Sequence, residues 1–294
     1  MKTAILFGAN GQDGFYLRDL LLRQGVNVIG VSRSGDFLRT PITDLEAVRA
    51  LIRETQPDVI FHLAANSTTR HDVWQENHET ISTGTFVILE AVRLEKPNCK
   101  VFISGSGLQF ENHDQPIRET DPFEARDPYS VSRIQSVYCA RYYRRLGVQA
   151  YVGYFFNHDS PRRSERHMAQ KIAAFARQIK AGQPGVLEIG DMDVVKEWTF
   201  AGDVVQGIWT LVQQDQVMEA NLGSGLGYSI RDWLDVCFAW VGKDWQPYIQ
   251  LKPGFTPEYR QLVSDSSRMH QLGWKPTTSL ADLARMMLET QAPA

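Results

Sequence analysis

The chain has 294 residues, which is enough for one large α/β unit or for a nucleotide-binding domain with a smaller lobe. Its net charge of −3 gives no indication of nucleic-acid binding, and no apolar run reaches the roughly 18 residues that a membrane span needs. The three cysteines are an odd number without metal-ligand spacing, so we expect no disulfide framework and no metal site, and a cytoplasmic location fits.

The N-terminus predicts a dinucleotide-binding turn. Residues 3–7 are a short apolar run, glycines follow at Gly8, Gly11 and Gly14, and residues 15–23 have the composition of a helix. In such a unit the first glycine permits the tight turn, the second lets the backbone approach a pyrophosphate, and the third allows close packing. The helix N-terminus offers free N–H groups to the phosphates, although an ordinary glycine turn is the alternative. The residues of this turn predicted to bind the cofactor are Gly8, Asn10, Gly11, Gln12, Asp13 and Gly14.

The end of the second predicted strand, residues 26–31, indicates which dinucleotide binds. An acidic residue at this point accepts hydrogen bonds from the ribose of NAD and repels a 2′-phosphate, but the strand here leads into Ser32, Arg33 and Ser34. An arginine suits the 2′-phosphate of NADP through charge-assisted hydrogen bonds. We therefore predict that Arg33 contacts the cofactor and that NADP is preferred to NAD; a solvated surface arginine is the alternative.

Strands and helices alternate along the first half of the chain. Further strands are predicted at 59–65, 100–104 and 148–156, and helices at 44–54, 85–93 and 127–145. This alternation predicts an α/β fold with a doubly wound parallel Rossmann sheet and a smaller C-terminal substrate lobe. The predicted boundaries are 1–156 for the dinucleotide-binding domain, with a return crossing near 186–213, and 157–185 with 214–294 for the substrate-binding lobe.

Three residues near the middle of the chain form a candidate catalytic group. Ser106 lies just beyond the strand 100–104, at the edge of the sheet where ligands bind in open α/β folds. Tyr129 and Arg133 are four residues apart near the start of a helix, so they share one face. A nearby fixed cation lowers the pKa of a tyrosine hydroxyl from about 10, so the phenol can exchange a proton with a sugar oxygen during hydride transfer. The alternative is that Tyr129 and Arg133 only cap and pack the helix.

Several of these motifs together resemble the extended short-chain dehydrogenase/reductases. They are the turn 8–14, the segment His62-Leu63-Ala64-Ala65, Ser106, and the segment 128–133. Within that group, residues 11–14, 156–163 and 272–276 resemble the GDP-mannose 4,6-dehydratases, and residues 190–194 resemble the GDP-4-keto-6-deoxy-mannose reductases. The resemblance implies a nucleotide-sugar substrate, a bound nicotinamide cofactor, and a homodimer built on the helices near 85–93 and 129–145.

The resemblance also implies roles for individual residues. Cofactor contacts are implied at Leu63, Ala64, Ala65, Tyr129, Arg133 and Phe156. Substrate contacts are implied at Asn157, Arg163, Lys171, Lys196, Glu258 and Arg260.

The chain departs from this family in the catalytic region. The family's Tyr-x-x-x-Lys is Tyr129-x-x-x-Arg133 here, and arginine keeps its proton because its pKa is above about 12. The dehydratases carry a glutamate two residues after the serine or threonine of the triad, where this chain has Leu108, with Gly107 between. Elimination of water therefore lacks its usual acid–base group.

Three functions are open at this point. The first is an NADP-dependent oxidoreductase acting on a nucleotide-diphospho-hexose, as a GDP-linked 4-keto sugar reductase or epimerase, because Ser106 and Tyr129 are retained. The second is an enzyme of the GDP-mannose 4,6-dehydratase type. The third is a non-catalytic NADP-binding sensor or scaffold on a decayed enzyme fold, which Gly107, Leu108 and Arg133 favour.

Overall fold

A computed structural model describes residues 1–290. The strands are β1 (Thr3–Phe7), β2 (Asn27–Val31), β3 (Val59–His62), β4 (Lys100–Ser106), β5 (Ala150–Phe155), β6 (His158–Asp159), β7 (Leu187–Ile189), β8 (Val195–Lys196), β9 (Thr199–Phe200), β10 (Glu219–Leu222), β11 (Tyr228–Ser229), β12 (Ile249–Leu251) and β13 (Gln261–Leu262). The helices are α1 (Gln12–Arg23), α2 (Leu45–Thr55), α3 (Trp74–Asn77), α4 (Gly84–Glu95), α5 (Pro128–Arg145), α6 (Met168–Lys180), α7 (Ala201–Val212), α8 (Ile230–Val241), α9 (Ser267–Gln271) and α10 (Leu280–Glu289). Over this part of the chain, none of the helices combines the length and the apolar character of a membrane span.

Six parallel strands form the central sheet, in the order β10-β5-β4-β3-β1-β2. The chain moves outward from β1 to β2 and then crosses to β3 on the other side of β1, so the carboxyl ends of β1 and β3 flank the topological switch point. A Rossmann sheet has a further strand outside β2, but here a single bridge between Val31 and Leu38 takes its place. The predicted doubly wound fold is confirmed.

Helices cover both faces of this sheet, which explains why its strands are apolar throughout. Ile5 and Phe7 of β1 pack toward α2, α4 and α5, whereas Ala4 and Leu6 pack toward α1 and α7, as the two-residue period of a strand requires. Helix α5 begins where predicted, because the Asp127 carboxylate accepts hydrogen bonds from the backbone N–H groups of Tyr129 and Ser130. That cap places Tyr129 in the first turn of the helix.

A second core lies in the C-terminal lobe, where α6, α8 and α10 pack around the fully buried Trp233. The structure differs from the predicted boundaries at two points. The predicted return crossing, 186–213, contains α7, but the strand that rejoins the sheet is β10, which follows it. Met269 and Trp274 lie within the predicted lobe but pack against the central sheet, because they complete the apolar layer formed by α1 and α7.

Candidate active site

A cavity of about 610 Å³ opens beside the carboxyl ends of the central strands. It is bounded by the turn after β1, the ends of β3, β4 and β5, the start of α5, and segments of the lobe. Of the residues predicted to form the site, Asp13, Leu63, Ser106, Tyr129, Arg133, Phe156, Asn157, Arg163 and Glu258 line it. The structure therefore brings residues as far apart in the sequence as Asp13 and Glu258 into one site.

The glycine turn has the close approaches that a dinucleotide-binding turn needs. Gly8 has φ of +89°, and a Cβ there would lie 2.7 Å from the backbone nitrogen of Ala64. A Cβ on Gly14 would lie 2.3 Å from the carbonyl oxygen of Gly8, so the helix could not pack this closely with any side chain. Gly11 caps α1 without a side-chain hydrogen bond, which leaves the first N–H groups of the helix free. This cradle fits a pyrophosphate.

Ser106, Tyr129 and Arg133 lie together and are almost fully buried, with 6%, 8% and 4% of their surfaces exposed. Ser106 ends β4, and its Oγ accepts a hydrogen bond of 3.2 Å from the backbone N–H of Leu108. One helical turn separates Tyr129 from Arg133, whose guanidinium carbon lies 5.0 Å from the centre of the Tyr129 ring. The hydroxyl, the phenol and the cation are thus positioned by a strand end and by one face of α5.

Arg133 is held by neutral groups. Its Nη1 donates hydrogen bonds to the carbonyl oxygen of Ser104 and, at 2.7 Å, to Ser104 Oγ, while its Nε is buried without a partner. Within residues 1–290 no carboxylate forms an ion pair with it. A buried cation without an anionic partner is costly, so the site favours a negative charge that develops beside it.

His62 is connected to Arg133 through Ser104. Ser104 Oγ donates to the carbonyl oxygen of His62 at 3.1 Å, and His62 Nε2 lies 3.1 Å from the carbonyl oxygen of Thr80, to which it donates. Burial lowers the pKa of His62 to about 3, and the positive charge of Arg133 acts in the same direction. His62 is therefore neutral in the folded protein near neutral pH.

The segment after β5 contacts both the glycine turn and the start of α1. His158 Nε2 lies 2.9 Å from Asp13 Oδ1, Ser160 Oγ donates to Gln12 Oε1 at 2.8 Å, and the guanidinium of Arg162 lies 3.9 Å from the centre of the Phe15 ring. Burial by itself lowers the pKa of His158, but Asp13 raises it by more, so the pKa is above its ordinary value. For Asp13, burial raises the pKa and His158 lowers it by more. The two form a buried ion pair.

The lobe side of the cavity is basic. Arg163 lies 3.4 Å from Asp159, and the buried Oδ1 of Asn157 has no partner. Arg166 and His167 line the same wall, and burial followed by the charge of Arg163 lowers the pKa of His167 to about 4. Guanidinium groups around an unpartnered amide are suited to an anionic ligand such as a diphosphate.

Other predicted residues lie outside the cavity wall. Lys171 is exposed, and its Nζ donates to the carbonyl oxygen of Glu188 at 3.3 Å. Arg260 lines a neighbouring pocket of about 310 Å³, which shares Glu258 and Tyr259 with the main cavity. Lys196 stands over the ring of Trp198 at 4.4 Å, and burial lowers the pKa of its ammonium group.

Trp198 in turn stacks on Trp233, with ring centres 4.7 Å apart and planes 8° from parallel. This stack lies in the core of the lobe and places Lys196 on its outer side.

At the tip of β2, Arg33 is exposed and forms an ion pair of 2.5 Å with Glu76. A second arginine at this tip was missed from the sequence. Arg39 donates to the carbonyl oxygens of Ser32 and Gly35 at 2.8 and 2.7 Å. The only signal for it was a second basic residue in the same loop, and its fold-back onto Ser32 could not be inferred from spacing.

Comparisons with known proteins identify the family. The family model described as GDP-mannose 4,6 dehydratase matches residues 32–287. GDP-mannose 4,6 dehydratase 2 of Arabidopsis thaliana is 30% identical over 98% of this chain and 86% of its own, and GDP-mannose 4,6-dehydratase of Vibrio cholerae is 28% identical over 98% and 93%.

Solved structures of other proteins have the same fold. The dTDP-glucose 4,6-dehydratase of Bacillus anthracis in complex with NAD superposes with a TM-score of 0.86 at 18% identity, covering 98% of this chain and 96% of its own. The UDP-glucose 4-epimerase of Thermus thermophilus in complex with NAD gives 0.83 at 22% identity, covering 98% of both chains. The chain therefore belongs to the GDP-mannose 4,6-dehydratase family within the extended short-chain dehydrogenase/reductases.

Proposed function

We propose that the protein binds a nicotinamide dinucleotide and acts at C4 of a GDP-linked hexose, with 4,6-dehydration as its reaction. The observation that carries this proposal is that Ser106, Tyr129 and Arg133 line the same cavity as Asp13 of the glycine turn, in a chain that matches dehydratases along nearly its whole length. The names of those relatives favour dehydration over the reductase or epimerase reaction that was the leading hypothesis from the sequence.

The residues of the cavity suit chemistry at a sugar C4. When bound, a nicotinamide accepts a hydride from C4 and returns it later in the reaction. Tyr129 takes the proton of the C4 hydroxyl, and the Ser106 hydroxyl hydrogen-bonds to the same oxygen. Arg133 stabilises the phenolate form of Tyr129, which accepts this proton, without giving up a proton of its own. The basic wall containing Arg163 and Arg166 is suited to the diphosphate.

Elimination of water from C5 and C6 is the demanding step for this site. A base must remove the C5 proton and an acid must protonate the departing C6 hydroxyl, but Gly107 and Leu108 supply neither. Two of the acids that line the cavity are already paired, Asp13 with His158 and Asp72 with Arg70, which leaves Glu258. We therefore expect elimination to be the slow step.

A GDP-linked 4-keto sugar reductase or epimerase is the second candidate. The lack of a carboxyl group at residues 107 and 108 favours it, since neither reaction removes a C5 proton and a C6 hydroxyl together. Both use the same proton donor, Tyr129.

For the cofactor we propose NADP over NAD. Two solved relatives are described as complexes with NAD and one, from Pseudomonas aeruginosa, as a complex with NADPH, so kinship leaves the choice open. Arg33 and Arg39 both stand at the tip of β2, and Ser34 is tied to the glycine turn by a hydrogen bond of 2.8 Å from Asn10. This loop presents cations where a 2′-phosphate is placed.

We also propose that the protein is a homodimer through α4 and α5. These two helices carry large exposed apolar or aromatic side chains on their outer surfaces. The set is Phe86, Leu94, Val131, Tyr138 and Tyr142. Clustered exposure of this kind marks an interaction surface.

Product analysis tests the proposed reaction. The protein is incubated with GDP-mannose and catalytic NADP, and the sugar is followed by NMR. A 4-keto-6-deoxy product without net consumption of cofactor supports dehydration, and Tyr129→Phe is the matched control. NADPH consumption with a GDP-linked 4-keto sugar, or equilibration of C4 epimers, supports the second candidate. Cofactor binding without turnover of any of these sugars supports a sensor or scaffold instead.

A further inference from the structure

We propose that His158 is a positioning residue that stays protonated in order to neutralise Asp13 beside the cofactor phosphates. This inference rests on the dinucleotide binding proposed above. It assigns a role to a pair that joins the glycine turn to the substrate-side segment 156–163.

The geometry requires a proton on each ring nitrogen of His158. Nδ1 lies 2.7 Å from the carbonyl oxygen of Phe156, and Nε2 lies 2.9 Å from the carboxylate of Asp13. The carbonyl oxygen is an acceptor, and so is the ionised carboxylate of Asp13, so each nitrogen donates; a histidine that donates from both nitrogens is an imidazolium. His158 is 6% exposed, and its ring meets that of Phe155 edge to face with the ring centres 5.3 Å apart. Asp13 and Arg163 are the charged groups that act on it.

Asp13 occupies a position where an uncompensated negative charge would oppose the cofactor. It is the second residue of α1, so its own backbone N–H is among the free groups at the helix N-terminus that would hold the phosphates. A bare carboxylate on the same turn competes for the positive end of the helix and repels a diphosphate. The imidazolium of His158 removes that conflict.

The pair also connects the two halves of the site. The residue before His158 is Asn157, and Arg163 follows five residues later, so the segment that carries the predicted substrate contacts is anchored at the cofactor turn. The Gln12–Ser160 hydrogen bond strengthens this connection without adding charge. It therefore offers an uncharged control for the connection between the glycine turn and segment 156–163.

The test is a charge cycle read by calorimetric titration of NADP. His158→Gln leaves Asp13 charged and unpaired, and we expect it to weaken NADP about tenfold to hundredfold, in line with the loss of a charged hydrogen-bond partner. Adding Asp13→Asn to it removes the stranded charge, and the double variant should recover most of the lost affinity. Ser160→Ala should change affinity by less than about threefold.

Two results would overturn the proposal. One is that His158→Gln binds NADP as tightly as the wild type. The other is that the double variant binds as weakly as His158→Gln, which would show a purely structural role. If His158→Gln does not fold, Asp13→Asn alone decides. It should lower the affinity for NADP by a smaller factor than Asn157→Ala and Arg163→Ala lower the affinity for the nucleotide sugar. A loss of NADP binding in Asp13→Asn contradicts the proposal. A wild type that binds no nicotinamide dinucleotide refutes the proposed function itself, and melting curves of the free proteins separate these cases.

Discussion

The guanidinium of Arg133 lies over the ring of Tyr129, 5.0 Å from its centre, and forms its hydrogen bonds with Ser104 instead of with an acid. This arrangement separates two properties that a lysine combines. The positive charge beside the phenol is kept, whereas the exchangeable proton is lost. The chemistry of the site should therefore depend on charge at residue 133 and on the hydroxyl at residue 129.

Substitutions at these two positions test that separation. Tyr129→Phe should abolish turnover and leave cofactor binding nearly intact, because only the proton donor is removed. Arg133→Lys should keep or raise activity, since it keeps the charge and restores an exchangeable proton, and Arg133→Met should lose activity and weaken the cofactor. Steady-state rates and calorimetry measure these effects. Activity in Arg133→Lys from a silent wild type would instead indicate a decayed enzyme.

Leu108 tests whether the elimination step lacks an acid. Wild-type turnover of GDP-mannose should be slow, and Leu108→Glu should raise it, by up to about 10²–10⁴-fold if the carboxyl reaches the sugar. Leu108→Gln has the same size without the acid and should give no increase. The measurement is the initial rate of the 4-keto-6-deoxy product by NMR. Fast turnover by the wild type would show that another residue, with Glu258 the first to examine, supplies the group.

The tip of β2 gives a prediction about cofactor choice. Arg39→Ala should weaken NADP about tenfold or more and leave NAD nearly unchanged, because only NADP carries the 2′-phosphate. Glu76→Gln should have the opposite effect on NADP, since it releases Arg33 from its ion pair. Calorimetric titration of NAD and NADP against the wild type, Arg39→Ala and Glu76→Gln measures these affinities. Equal affinity of the wild type for NAD and NADP would count against the assignment.

His62 gives a prediction about acid stability. Its pKa is lowered by burial to about 3 from the ordinary 6.5, so the unfolded chain takes up a proton that the folded chain refuses. Because the pKa is lower in the folded state, the folded protein loses stability as the pH falls below the pKa that His62 has in the unfolded chain. The loss is about 2 kcal/mol between pH 6.5 and about pH 5.

Urea unfolding at the two pH values should therefore show a smaller acid loss for His62→Gln than for the wild type. The glutamine amide can still donate to the carbonyl oxygen of Thr80, so the variant keeps the hydrogen bond seen in the structure. The same pH dependence in both proteins would mean that His62 is already protonated when folded.

The α4–α5 surface gives a prediction about assembly. Phe86 is 51% exposed on α4, and Phe86→Lys should place a charge in the proposed dimer interface and yield monomers. Leu226→Lys is the matched control, because Leu226 is 58% exposed on the lobe, away from both helices. Light scattering coupled to gel filtration gives the mass directly. A monomeric wild type would refute the dimer.

Local features of the sequence predicted the fold well. The glycine turn and the start of α5 each depend on residues within a few positions of one another, such as Asp127 and its two backbone partners. The predicted return crossing, 186–213, includes α7 but ends before β10, the strand that pairs with β5.

The missed parts of the site are contacts between distant positions. Asp13 and His158 are 145 residues apart, and nothing in the composition around either one predicts an ion pair. Arg39 is close to Arg33 in sequence, but its hydrogen bonds to Ser32 and Gly35 follow from the path of the loop that replaces an outer strand. Roles implied by resemblance, such as those of Lys171 and Lys196, stay predictions.

The stacked indoles of Trp198 and Trp233 give the molecule an optical property of its own. Two chromophores that are 4.7 Å apart and almost parallel couple their electronic transitions, so the intact lobe should show a near-ultraviolet circular dichroism band that disappears when the stack opens. The ammonium of Lys196 lies over the indole of Trp198, where a positive charge should alter the emission of that ring. Any ligand that draws this ammonium aside will change the intrinsic fluorescence, which makes the lobe its own unlabelled reporter of occupancy.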